Sequence, residues 1–144
     1  MRVKTRAVIV RDGRLLVSRE RRRAIEHLLL PGGRVQDGES ITDALVREVH
    51  EETGLDVVPK QLLYIAEVVG SYGAHDLNLV WLAELLDENA TIGDDVLIAF
   101  DDAQASSIMP PIVDQIAADA ADGWQHPPRW IGNVRRSLRK SRTN

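Results

Sequence analysis

The sequence predicts an α/β layered domain. Three observations carry it: short apolar runs broken by turn signals, one well-capped amphipathic helical segment in mid-chain, and further strand-type runs before a second, alanine-rich helical segment. Helix and strand signals alternate, which disfavours an all-α or all-β arrangement. The 144 residues have room for one compact domain. With 44% hydrophobic and 28% charged residues the composition is globular.

Lys4–Val10 is the first expected strand, with Val8, Ile9 and Val10 as its apolar body. Asp12-Gly13 supplies a hairpin turn, and Leu15–Ser18 returns. The run Arg19-Glu20-Arg21-Arg22-Arg23 is too charged for a core and reads as an exposed loop. Leu28-Leu29-Leu30 is a short buried-type run stopped by Pro31-Gly32-Gly33. A helix begins at Ser40, an N-cap with Asp43 three residues on, presents Ile41, Ala44, Leu45 and Val49 on one face, and ends at Gly54. Leu62–Val69 and Leu77–Leu86 are two longer strands joined by Gly70-Ser71-Tyr72-Gly73. A weaker strand at Asp95–Phe100 and a helix from Pro111 to Ala121 complete a domain over residues 1–122. Residues 123–144 read as a basic extension, packed on that domain or appended to it, ending in a short basic helix.

The net charge of -4 averages three unlike segments. Residues 1–34 carry +7, residues 35–128 carry -17, and residues 129–144 carry +6. An acidic centre between basic ends opposes compaction unless its acids are solvated or converge on cations. The absence of cysteine excludes a disulfide scaffold, a thiolate metal site and a thiol nucleophile. No apolar run approaches the roughly 20 residues of a membrane span, and no signal-like stretch opens the chain, so a cytoplasmic protein without a membrane partner is expected.

The informative stretch is Gly33–Leu55. Glu48, Glu51 and Glu52 stand at i, i+3 and i+4, so a helix places them on one face, with Arg47 able to reach Glu51. Three neighbouring carboxylates repel one another, and an oxygen-only cluster suits a hard cation such as Mg²⁺ or Mn²⁺. Mg²⁺ favours one or two carboxylates plus substrate phosphates, which points to phosphate chemistry. A solvated acidic face is the plain alternative, but Pro31-Gly32-Gly33 lets the backbone turn tightly beside the cluster and Glu39 adds a carboxylate at the helix entrance.

This segment resembles the box of the Nudix hydrolase (MutT-like) family. Gly33, five residues, Glu39, seven residues, Arg47-Glu48-Val49, one residue, Glu51-Glu52, one residue and Gly54-Leu55 fill every fixed position. The box covers 23 of the 144 residues, and the flanking strands and late helix look like the family's α/β/α sandwich with a mixed β-sheet. The resemblance implies metal-dependent hydrolysis of a nucleoside diphosphate linked to another moiety, a small-molecule substrate, with Mg²⁺ or Mn²⁺ as cofactor. It implies Glu51 and Glu52 as metal ligands, the Gly32 carbonyl as a further one, and Glu48 as ligand or general base. Arg47 orients the glutamates, so the catalytic set is Glu48, Arg47 and Glu51. Gly33, Glu39 and Gly54 support the loop and helix ends. Some relatives use a further acid outside the box, for which Asp94, Asp95 and Glu84 are candidates.

Substrate markers are sparser. Relatives acting on ADP-ribose often carry a proline about sixteen residues beyond the box, where this chain has Gly70-Ser71, whereas Tyr72 matches the tyrosine of relatives acting on dinucleoside polyphosphates. A nucleotide or (di)nucleoside polyphosphate is therefore the first expected substrate, and ADP-ribose or another nucleotide sugar the second. Arg21, in the basic run, is a candidate phosphate contact and Tyr72 a second candidate substrate contact, with a solvated basic loop as the equal alternative for the run. His75 and Asp76 open a strand and read as an exposed strand end, with substrate contact as the second reading; Trp81 reads as core. Trp124, His126 and Trp130 ahead of Arg135, Arg136, Arg139 and Lys140 could stack and track a nucleic acid, but the charge is small and nucleic acid is not the expected partner. A homodimer is compatible with the resemblance. A non-catalytic nucleotide sensor is the reading from a different class, and the intact glutamates argue against it.

Overall fold

The computed structural model describes residues 1–70 and 73–135. In chain order the strands are β1 (Arg2–Val8), β2 (Val10–Arg11), β3 (Arg14–Leu16), β4 (Ser18–Arg22), β5 (Ile25–Leu29) and β6 (Gly32–Arg34). Helix α1 (Ile41–Thr53) follows, then β7 (Val57–Val69), β8 (His75–Leu85), β9 (Leu97–Ala99), β10 (Ile108–Met109), α2 (Val113–Ala121) and β11 (Arg129–Arg135).

The main sheet runs β11-β7-β8-β1-β6 and is mixed: β11 lies parallel to β7 and β8 parallel to β1, while β7–β8 and β1–β6 are antiparallel. Alternation along the strands builds two cores. Val8 and Val80 join Ile112, Val113 and Ile116 of the α2 region, whereas Ala7, Ile9 and Ala83 join Leu45 and Val49 of α1. The helices therefore cover opposite faces, and the α/β/α sandwich expected from the box resemblance is the architecture observed. Two three-stranded sheets, β10-β5-β4 and β2-β3-β9, flank it.

Helix α1 forms as its sequence dictates. Ser40 Oγ accepts from the Asp43 N–H at 3.1 Å, and Gly54 closes the helix at φ 74° with its N–H on the His50 carbonyl. Asp12 and Gly13 both take positive φ in the β2–β3 turn. The basic run departs from expectation: residues through Arg22 are strand β4, paired with β5 from Ser18↔Leu29 to Arg22↔Ile25, and Arg23 and Ala24 make the turn. A charged strand is tolerated because it is the outer strand of its small sheet and its side chains alternate between two wet surfaces.

After α2 the chain returns to the main sheet as β11. The expected basic helix falls largely on residues 136–144, which lie outside the described residues, as does Tyr72; up to Arg135 the conformation is strand. Trp124 packs on the α2-side core and His126 stacks on Tyr64, with ring centroids 5.7 Å apart, so Trp130 is the exposed aromatic of these three.

This return is tied down by Asp119, which is 4% exposed. Its carboxylate accepts from Tyr64 Oη at 2.7 Å, Gln115 Nε2 at 3.1 Å and Arg129 Nη2 at 3.1 Å, and His126 Nε2 lies 3.2 Å away. Burial alone would raise the Asp119 pKa; the hydrogen bonds from Tyr64, Arg129 and Gln115 outweigh it and hold the group below the usual aspartate range. A carboxylate depressed in the folded state stabilises it at pH values above its unfolded pKa, and that contribution disappears as the pH falls through the folded value. Asp119→Ala is expected to cost about 3 kcal/mol in urea unfolding at pH 7, since it strands Tyr64 Oη and Arg129, and the difference from the parent should shrink below about pH 4. A pH-independent difference would contradict the charged role.

Candidate functional site

A cavity of about 380 Å³ opens where the α2-side core runs out toward β6. On β1 the residues sharing a face with buried Val8 are Arg6, Lys4 and Arg2, and on β8 the residues sharing a face with buried Val80 are Asn78 and Asp76. All five line the cavity. The same strand faces that are apolar in the core thus turn polar as they leave it.

Helix α1 reaches this cavity past β6, whose glycines leave the space. The Glu48 carboxylate sits where a Gly33 side chain would begin, with Oε2 2.6 Å from that position. Glu52 Oε2 accepts the Gly32 N–H at 3.2 Å. Glu48 and Glu52 both line the cavity, together with Gly32 and Gly33.

Glu51 does not join them. At about 100° per residue, Glu52 lies about 40° to one side of Glu48 and Glu51 about 60° to the other. Glu51 is the more exposed and turns toward Arg47, 3.3 Å from Nη1. Glu48 and Glu52 thus line the cavity and Glu51 does not, and among the described residues no group of three or more Asp, Glu or His side chains is gathered as a metal cage.

Arg47 organises the acids. Its guanidinium donates to Glu39 at 2.6 and 3.0 Å, to Glu48 Oε1 at 2.9 Å and to the Arg34 carbonyl at 3.2 Å. Its pKa is driven further up, chiefly by the Glu39 hydrogen bond, and the same bond lowers that of Glu39. Glu39 also accepts the Gln36 N–H at 2.8 Å, which fixes the loop before the helix. Gly54 lies at the C-cap of α1, remote in function from the cavity lining.

Glu52 is the acid under electrostatic stress. Burial pushes its pKa up, against the opposing pull of the Gly32 N–H and of Arg6. A desolvated carboxylate beside a second one, flanked by glycine backbone and open to a cavity, fits a hard divalent cation that completes its shell with water and phosphate oxygens. Two carboxylates are what Mg²⁺ asks of a protein when phosphates supply the rest.

Arg6, which the sequence reading did not single out, is 7% exposed and donates to the carbonyls of Leu30 at 3.1 Å and Gly32 at 3.2 Å. It holds the Pro31–Gly33 turn against β1. Asn78, Lys4, Arg2 and Arg34 were missed too; the period-two pattern Arg2, Lys4, Arg6 is the signal that could have found three of them. Arg21 is not part of the lining. Alternation along β4 sends Glu20 and Arg22 to the cavity and Arg21 to the other side, so the cavity-facing arginine of that run is Arg22, bonded to Glu20 at 3.0 Å. Asp76 lines the cavity, while His75 bonds Glu67 at 2.8 Å.

All three acids outside the box are exposed, and Asp94 and Glu84 pair with Arg14 and Lys60. Asp95 instead borders a second cavity of about 260 Å³ that shares Glu52 with the first.

A model of the NUDIX domain matches residues 1–118. A MutT NUDIX hydrolase structure from Burkholderia pseudomallei is 30% identical, with a TM-score of 0.63 over 82% of this chain and 95% of that one. An 8-oxo-dGDP phosphatase of Danio rerio is 39% identical over 70 residues, covering 49% of this chain and 20% of that protein. An ADP-ribose pyrophosphatase of Methanocaldococcus jannaschii is 29% identical over 96 residues, covering 61% of this chain and 53% of that protein. The chain spans about half, or less, of the length of these two curated relatives. With the family model spanning most of the chain and two of the box glutamates, Glu48 and Glu52, lining one cavity, this chain belongs to the Nudix hydrolase family.

Proposed function

We propose that the chain is a divalent-metal-dependent pyrophosphohydrolase that cleaves the phosphoanhydride of a nucleoside diphosphate derivative, with a nucleotide or (di)nucleoside polyphosphate as its first substrate class. The observation that carries the reading is the juxtaposition of Glu48 and Glu52 with a wall of cations, Arg6, Lys4 and Arg34, in one cavity. Acids to hold a metal and bases to hold phosphates face the same space.

Nudix hydrolases generally need a divalent metal. Glu52 and Glu48 would hold Mg²⁺ or Mn²⁺, and the Gly32 carbonyl and Glu51 are the further ligands that the box resemblance implies. The ion, when bound, supplies charge neutralisation for the diphosphate and acidifies water. Where Glu52 alone holds the ion, Glu48 would instead be the general base that accepts the proton of the attacking water. Arg47 is a positioning residue that sets the Glu48 carboxylate, and Arg6 positions the glycine turn. Asp95, which lines the second cavity together with Glu52, is the further acid we favour.

ADP-ribose is the second substrate reading, supported by the relative of that name. A sensor that binds without turnover fits poorly with a full set of box glutamates. The test is product release from a panel holding ATP, a diadenosine polyphosphate, an 8-oxo-dGDP and ADP-ribose, with Mg²⁺ and with chelator. Metal-dependent cleavage of at least one compound is expected; binding without cleavage of any would establish the sensor instead. Arg47→Lys, which keeps the charge and loses the fork that spans Glu39 and Glu48, should lower kcat about 10–100-fold with little change in melting temperature. Equal losses in stability and activity would make Arg47 a structural residue only.

A further inference from the structure

The cavity continues past the glutamates into a second chemical environment. Along β1, Arg6, Lys4 and Arg2 stand at two-residue steps, so the cationic wall extends about 13 Å away from Gly32 and Glu52. Arg34 is the cross-strand partner of Lys4, and it lines the same wall.

The charges at this far end do not cancel. Arg2 and Lys4 share one carboxylate, that of Asp76, at 2.7 Å from Arg2 Nε and 3.3 Å from Lys4 Nζ. Among the described residues Arg34 has no ion-pair partner, and Arg6 is met by carbonyls and the Asn78 amide. Burial and the neighbouring Arg6 lower the Lys4 pKa in spite of Asp76. A half-buried ammonium beside other cations, with half a counter-charge, is a site short of an anion.

The cavity divides by element: Leu29, Val68, Met109 and Pro110 give it an apolar side that a base or sugar could use, whereas its lining from β1 is Arg2, Lys4 and Arg6 and from β6 includes Arg34.

We infer that Arg2, Lys4 and Arg34, with Asp76 as their spacer, form an anion-reading subsite for a charged group attached beyond the scissile diphosphate, a further phosphate by preference, and that this subsite favours polyphosphate substrates over sugar-capped ones. The inference rests on the hydrolase reading of the same cavity. Asp76 acts as the selector: it holds the two long side chains extended and sets how much positive charge remains for the ligand.

ATP and ADP-ribose make a matched pair, since each is adenosine diphosphate carrying either a phosphate or a ribose. Lys4→Met should lower the ratio of kcat/KM for ATP to that for ADP-ribose about ten-fold, through the KM for ATP. Arg34→Gln, at a more exposed position, should shift the ratio the same way by a smaller factor. Asp76→Asn should shift it the other way, because the surplus of positive charge grows. Calorimetry with inorganic tripolyphosphate gives a readout without turnover: Lys4→Met should weaken its binding about ten-fold and Asp76→Asn should tighten it. Equal losses on both nucleotides, or tripolyphosphate affinity indifferent to all three substitutions, would overturn the subsite while leaving the hydrolase reading intact. Absence of turnover in the parent protein, with tripolyphosphate binding still responding as stated, would overturn the hydrolase reading and support the subsite.

Discussion

Glu52→Gln is expected to reduce kcat by about 10³-fold or more while leaving the protein at least as stable when no divalent cation is present. The rate loss follows from removing one of the two cavity-facing carboxylates that would hold the metal; several kcal/mol of transition-state charge stabilisation correspond to about three powers of ten. The stability half of the expectation is independent. Burial raises the Glu52 pKa, so ionised Glu52 costs the folded state free energy at neutral pH. The amide has nearly the same shape, and the Gly32 N–H that donates to Glu52 Oε2 can donate equally to its oxygen. A site that sacrifices stability for function should gain stability when the function is removed. Steady-state kinetics and metal-free thermal melting check the two halves; a marked fall in melting temperature would show Glu52 to be a structural acid.

The second large effect separates two adjacent glycines. Gly32 has φ 149°, and a side chain there would run into the Thr5 carbonyl and the Arg6 backbone across the β1–β6 ladder. Backbone cannot yield cheaply, so Gly32→Ala should destabilise by about 4 kcal/mol, combining conformational strain with a forced strand shift. Gly33→Ala meets only the Glu48 carboxylate, the mobile end of a side chain. That variant should fold with nearly the parent's stability, yet lose about 10²-fold in kcat because Glu48 is displaced from its position over the turn. Denaturant unfolding paired with kinetics distinguishes them; if both glycines cost stability alike and neither moved kcat selectively, the turn would be scaffold rather than site.

How much of this was legible in the sequence depends on how local each feature is. Helix α1 was, since its caps, apolar face and acids are all contained within Ser40–Gly54, and Ser40, Asp43 and Gly54 do as their side chains and φ preferences require. The box located the acids. It could not give their aim: Glu51 follows the same spacing rule as its neighbours, but Arg47, held by Glu39, draws it aside. Strand β4 was hidden because its five residues carry no apolar alternation; only pairing with β5 reveals it. The cationic wall was hidden differently. Val8 and Ile9 made β1 look like a buried strand, while the polar residues at its other end share a face with Val8, and the face changes character where the core ends. Asp119 looked like one acid in an alanine-rich helix, and its partners Tyr64 and Arg129 lie 55 and 10 residues away.

The Glu48–Glu52 face beside the glycine turn is proposed to hold the divalent cation on which hydrolysis depends. The most direct measurement is a titration of the protein with Mn²⁺, following the free ion by electron paramagnetic resonance, for the parent and for Glu52→Gln. Saturable binding by the parent is expected, with an affinity weakened at least about ten-fold in the variant, in step with the loss of kcat. Equal Mn²⁺ affinity in the two proteins would contradict it.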